Sequence, residues 1–114
     1  MFVISQSQSY LWPVAVEFPV DGGKTKKETF DGEFKRLAQS KIKEIQDAIK
    51  RDEFADDAAL AKDLMVGWKG VVDERGEEIP YSEGARDELL DVPLVATAIV
   101  HAWMDSLSGR KRKN

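Results

Sequence analysis

The sequence predicts an α+β fold: an N-terminal β-hairpin followed by about four α-helices in a single domain. Three observations carry that expectation. Apolar and other residues alternate with period two in the first third of the chain, apolar residues recur at spacings of three and four after residue 40, and 114 residues give room for one modest core.

The hairpin is the clearest element. Trp12, Val14, Val16, Phe18 and Val20 alternate with Pro13, Ala15, Glu17 and Pro19. Asp21-Gly22-Gly23 then supplies residues that tolerate the positive φ of a tight turn. In the return strand Phe30 and Phe34 share a face, while Lys27, Thr29, Asp31, Glu33 and Lys35 take the other. Proline donates no ladder hydrogen bond, so the first strand is expected at an open edge. A hairpin alone is marginal in water, and its apolar face must pack on helices or on a partner. Ser5-Gln6-Ser7-Gln8-Ser9 ahead of it reads as a flexible connector.

Helices are expected downstream. Ser40 suits an N-cap for a helix bearing Ile42, Ile45 and Ile49, with Lys41, Lys43, Glu44, Asp47, Lys50 and Arg51 on its polar face. Asp56 or Asp57 caps a second helix with Leu60, Leu64 and Trp68 on one stripe, ended by Gly67 and Gly70. Residues 73–80 form an acidic turn around Gly76, and Ser82 caps a short helix with Ala85, Leu89 and Leu90 apolar. Asp91 caps the final helix, with Pro93 in its first turn and Gly109 as its stop. That helix, with Val92, Val95, Ala96, Ile99, Ala102, Trp103 and Leu107, is apolar on most of its surface and is expected to be the most buried. The domain is expected to span residues 1–109, with 110–114 a disordered basic tail.

Composition narrows the function classes. At 42% hydrophobic and 33% charged residues the chain falls with soluble globular proteins and not with disordered ones. There is no cysteine, which removes disulfides, thiolate nucleophiles and Cys-based zinc sites. The longest apolar run, residues 92–100, is about half a membrane span, and no secretion signal is visible, so the expected location is the cytoplasm. His101 is the single histidine, too few for a two-histidine metal site from one chain. Gly22-Gly23 lacks the spacing of a phosphate loop, and Asp73-Glu74-Arg75-Gly76-Glu77-Glu78 lacks the alternating ligands of a calcium loop. The expectation is therefore no catalytic residue, no metal and no cofactor.

Charge is segregated along the chain. Residues 24–51 hold nine bases and five acids, residues 52–91 thirteen acids and four bases, and Arg110-Lys111-Arg112-Lys113 adds four bases, within a net charge of −4. Segregation of this kind suits complementary protein surfaces better than a nucleic-acid footprint. Trp12, Trp68 and Trp103 add to this, because tryptophans concentrate in cores and at interfaces.

Residues 66–82 (Val-Gly-Trp-Lys-Gly-Val-Val-Asp-Glu-Arg-Gly-Glu-Glu-Ile-Pro-Tyr-Ser) resemble a segment of the small tail assembly chaperones of long-tailed bacteriophages and prophages. The motif residues are Trp68, Gly70, Val71, Asp73, Gly76, Pro80 and Ser82, followed by Pro93 in Leu89-Leu90-Asp91-Val92-Pro93. The hairpin with Asp-Gly-Gly-Lys and the end at Ser106-Leu107-Ser108-Gly109 fit the same layout, so the resemblance spans roughly residues 13–114. It implies a non-enzymatic protein of the bacterial cytoplasm that binds the tape-measure protein, keeps it soluble and helps recruit tail-tube subunits. It also implies, for many members, a longer form made by ribosomal frameshifting near the C-terminus. For such a role Trp103 with Ile99 and Leu107, or Trp68 with Leu64, is the expected partner contact. An edge strand and an apolar helix also invite self-association. Two rival classes remain: a structural tail or head–tail connector component retained in the virion, and a small regulator binding nucleic acid through residues 110–113 and the basic helix at 41–51.

Overall fold

A computed structural model describes residues 2–52 and 56–108. Strands β1 (Ser9–Val20) and β2 (Lys24–Lys35) are followed by helices α1 (Gln39–Lys50) and α2 (Asp57–Leu64). Strand β3 (Met65–Lys69) and helices α3 (Glu83–Leu90) and α4 (Val95–Leu107) complete the chain. The strands form one antiparallel sheet in the order β1-β2-β3, so the α+β expectation holds, with one strand more than the hairpin. Gly109 and residues 110–114, expected as helix stop and basic tail, lie outside the described residues.

The hairpin closes as its residues dictate. Val20 pairs with Lys24 across Asp21-Gly22-Gly23, and Gly22 and Gly23 take φ values of 83° and 74°. The Arg36 N–H donates to the Gln8 carbonyl at 2.8 Å, which extends the ladder past Ser9. Gln8 and Ser9 therefore belong with the sheet and not with a flexible connector. That bond also fixes the ladder's phase: even-numbered β1 residues bond to β2, and odd-numbered ones turn their backbone groups outward. Pro13 and Pro19 both occupy outward positions of the edge strand, where their missing N–H disturbs no ladder bond.

The even-numbered face carries the core. Val14, Val16 and Phe34 from the hairpin meet Ile99 and Trp103 of α4 and Leu60 and Leu64 of α2 in one cluster. Helix α4 is the most buried helix, as its nearly all-round apolar surface requires. Asp56 accepts a hydrogen bond from the Ala59 N–H at 2.7 Å and so caps α2, while Asp57 accepts one from the Thr97 hydroxyl at 2.8 Å and ties α2 to α4.

Three boundaries differ from those expected. Helix α2 ends at Leu64, and Trp68 lies on a strand. The spacing of Leu60, Leu64 and Trp68 fits a helix, but Met65–Lys69 instead pairs with β2, with Asp31 opposite Lys69 and Glu33 opposite Gly67. Gly67 is room for a neighbour and not a helix end: a Cβ there would lie 2.4 Å from the Glu33 carboxylate, which also accepts from the Ser9 hydroxyl. The register slips at Phe34, which faces Met65, and Val66 bulges into solvent.

Helix α1 starts at Gln39, one residue before Ser40. Its N-cap is Ala38, whose carbonyl accepts from the N–H groups of Lys41 and Ile42, with no side-chain cap. Helix α4 starts at Val95, not after Asp91. Asp91 closes α3, its N–H bonding the Asp87 and Glu88 carbonyls. Pro93 disfavours a helical Val92, and Leu94 then takes a left-handed φ of 76°, so the two helices meet at a bend of 102°. Among the described residues no single helix is long and apolar enough to cross a membrane.

The cap at α2 gives a direct test. Asp56→Ala should lower the unfolding free energy by about 1 kcal/mol in urea denaturation, with an unchanged m-value.

Candidate protein-binding groove

Along β2, Gly32 has Trp12 opposite it on β1 and Trp68 opposite it on β3. A Cβ at Gly32 would lie 3.3 Å from both the Phe34 ring and a Val14 methyl, so the missing side chain is the space these neighbours occupy. Trp68 is covered on its side. Its indole N–H donates to the Ile79 carbonyl at 2.8 Å, and its ring meets Tyr81 edge-on with centroids 4.9 Å apart. Trp12 is only half-buried, and it lines an open groove.

That groove has a volume of about 830 Å³. Tyr10 and Trp12 of β1 form one wall, and Lys35, Arg36 and Leu37 at the exit from β2 form the next. Ile42 of α1 faces them, Ser106 and Leu107 of α4 close the far side, and Trp103 contributes to the floor. A polar rim is supplied by the segment at Gln6, Ser7 and Gln8.

Tyr10 organises this surface. Ser106 Oγ donates to the Trp103 carbonyl at 2.6 Å, which leaves it to accept from the Tyr10 hydroxyl at 2.7 Å. The Tyr10 ring lies against Phe34, with centroids 6.1 Å apart. The Arg36 guanidinium sits 4.9 Å above the same ring and donates through Nε to the Ser7 hydroxyl. The first turns of the hairpin and the last turn of α4 are thereby fixed to each other through one phenol. Of the residues lining the groove, the charged ones are Lys35 and Arg36, both positive.

The residues expected to make the partner contact are placed differently. Leu64 is 1% exposed, Trp68 8%, Ile99 0% and Trp103 1%, so all four are core. The expected contact surface on these side chains is thus not presented to solvent. Leu107, at 36% exposed, is the one member that reaches the surface, and it does so in the groove. Sequence reasoning singled out Trp12 but missed Tyr10, Leu37 and Ile42 as its companions. Tyr10 shares the parity of Trp12 and Val14, and that was the available signal.

The motif residues have architectural roles. Gly70, at a φ of 85°, lets the chain leave β3, and its N–H donates to the Glu78 carboxylate at 3.1 Å. The Val71 carbonyl accepts from the Ile79 N–H at 2.8 Å. Asp73 accepts from the N–H groups of Arg75 and Glu77, its own N–H bonds the Glu77 carbonyl, and Gly76 closes the turn with a φ of 81°. Ser82 caps α3 through the Ala85 N–H at 3.1 Å, Pro80 is an exposed connector, and Pro93 lies in the α3–α4 turn. In α3, desolvation lowers the Arg86 pKa, but hydrogen bonds to Asp87 and Tyr81 outweigh it and hold that pKa above its ordinary value. His101 is exposed on α4, and among the described residues no three of His, Cys, Asp and Glu gather as a metal site.

Compared with protein-family models, with curated proteins and with solved structures, the chain matches none.

Burial separates the floor of the groove from its wall. Trp103→Ala should cost about 3–5 kcal/mol in chemical denaturation. Leu107→Ser should stay within about 1 kcal/mol of the parent, because only part of that side chain leaves water.

Proposed function

We propose that this chain is a non-enzymatic tail assembly chaperone of a long-tailed phage or prophage. In this reading it works without metal or cofactor in the bacterial cytoplasm, binds the tape-measure protein, keeps it soluble and helps bring tail-tube subunits to it. The observation that carries the reading is the groove: a wide, aromatic-walled opening on a domain whose other large apolar side chains are mostly packed. Pockets of this kind hold a few anchor side chains of a client while the polar rim limits non-specific adhesion. The resemblance of residues 66–82 to the chaperone family supplies the identity of that client. Self-association of the chain belongs to the same reading.

Co-expression with the tape-measure protein encoded beside it, followed by affinity capture, tests this. The expected result is a stable soluble complex that disappears when this chain is left out. A tape-measure protein that stays insoluble in both cases, or recovery of this chain as a stoichiometric part of mature particles, would overturn it.

A further inference from the structure

The chemistry of the groove's occupant follows from the sheet edge, the walls and the charge, and this inference rests on the chaperone reading. An extended segment has little to add to here. On β1 the outward backbone positions run Ser9, Leu11, Pro13, Ala15, Glu17 and Pro19, so two of the six offer no donor and Pro13 splits the ladder between Leu11 and Ala15. Strand β3, at the other edge, is five residues long. A helix needs no partner for its backbone, and it presents side chains at spacings of three and four that anchor in an apolar groove. The groove's volume of about 830 Å³ lies within the range of clefts that accept several side chains.

Charge then fixes what flanks the anchors. Lys35 is exposed and Arg36 lies over Tyr10, and among the described residues no acid lines the groove.

We propose that the groove binds an amphipathic helix whose apolar stripe is flanked by Glu or Asp. The stripe enters between Trp12, Ile42 and Leu107, and the carboxylates face Lys35 and Arg36.

Two synthetic sixteen-residue peptides test this on the full-length protein. Both carry leucines at i, i+3, i+4 and i+7, one with glutamate flanks and the other with lysine flanks. Fluorescence anisotropy of the labelled peptides gives affinity, and circular dichroism of the mixture gives helix content. The glutamate peptide should bind as a helix, about tenfold more tightly than the lysine peptide at low salt, since two or three screened charge pairs supply about that factor. Lys35→Glu should narrow the preference several-fold, and Leu107→Glu should remove binding of both peptides; each variant is first checked for an unchanged melting curve. Equal binding of the two peptides, no binding of the glutamate peptide, or indifference to Leu107→Glu would overturn the proposal. The two readings fail separately. If wild type and Leu107→Glu capture the tape-measure protein alike, the groove proposal falls and the chaperone reading stands. If the glutamate helix binds at Leu107 but no tape-measure protein is captured, the groove proposal stands and the chaperone reading falls.

Discussion

The absent side chain of Gly32 sets the shape of the sheet's inner face. This residue lies in the middle strand, with Trp12 on one neighbour and Trp68 on the other, and the Phe34 ring and Val14 methyl close over it. A Cβ held at 3.3 Å from both would force one of them to give, in a region where packing is close to crystal density. Two indoles and a phenyl ring therefore share a width of sheet that a fourth side chain would overfill. On the β3 side, Ile79 and Tyr81 cover the indole and make it core. On the β1 side the covering elements are α1 and the end of α4, which stand apart, and the groove is the space between them. The same constraint thus yields a closed flank and an open one.

Much of this frame was legible in the residues, and the exceptions share a cause. The hairpin, its Asp-Gly-Gly turn, the Asp56 and Ser82 caps and the acidic turn at Gly76 depend on local chemistry, in which side chains bond backbone groups a few residues away. Strand β3 depends on β2. Nothing within Met65–Lys69 overrides the helical spacing of Leu60, Leu64 and Trp68; the strand is made by pairing with β2, which Gly67 allows by leaving room for Glu33. The start of α4 was hidden in another way. Asp91 before Val92-Pro93 has the chemistry of an N-cap, but it closes the preceding helix, and the left-handed residue that redirects the chain is Leu94, a type that does not announce that conformation.

Four of the five residues expected to meet a partner are enclosed by the domain, and for a physical reason. The largest apolar residues of the most apolar helix were expected to meet a partner, yet a helix apolar on nearly all sides is one that the domain itself encloses. Ile99 and Trp103 are accordingly core. Apolar area open to solvent in the groove falls instead on residues at the ends of elements: Tyr10 and Trp12 where β1 begins, Leu37 in a connector, and Leu107 in the last turn of α4. None of the groove's lining residues lies within the 66–82 motif. The motif residues build a strand exit, a turn and a helix cap.

The groove's walls are unequally held. The β1 and α4 walls are joined by the Tyr10–Ser106 hydrogen bond and rest on a common core. Helix α1 has no side-chain cap, and Ile45 is its one fully buried residue. A second cleft of about 450 Å³ lies on its other side, against Leu60 and Leu64 of α2. Burial of one isoleucine contributes about 1.5–3 kcal/mol, less than the several anchors that hold α4. Ile42 of α1 lines the main groove, and Glu44 and Ala48 of the same helix line the second cleft. The element with the least buried attachment is the one whose movement costs least. The groove is thus bounded by two walls that rest on the core and a third held by fewer buried side chains.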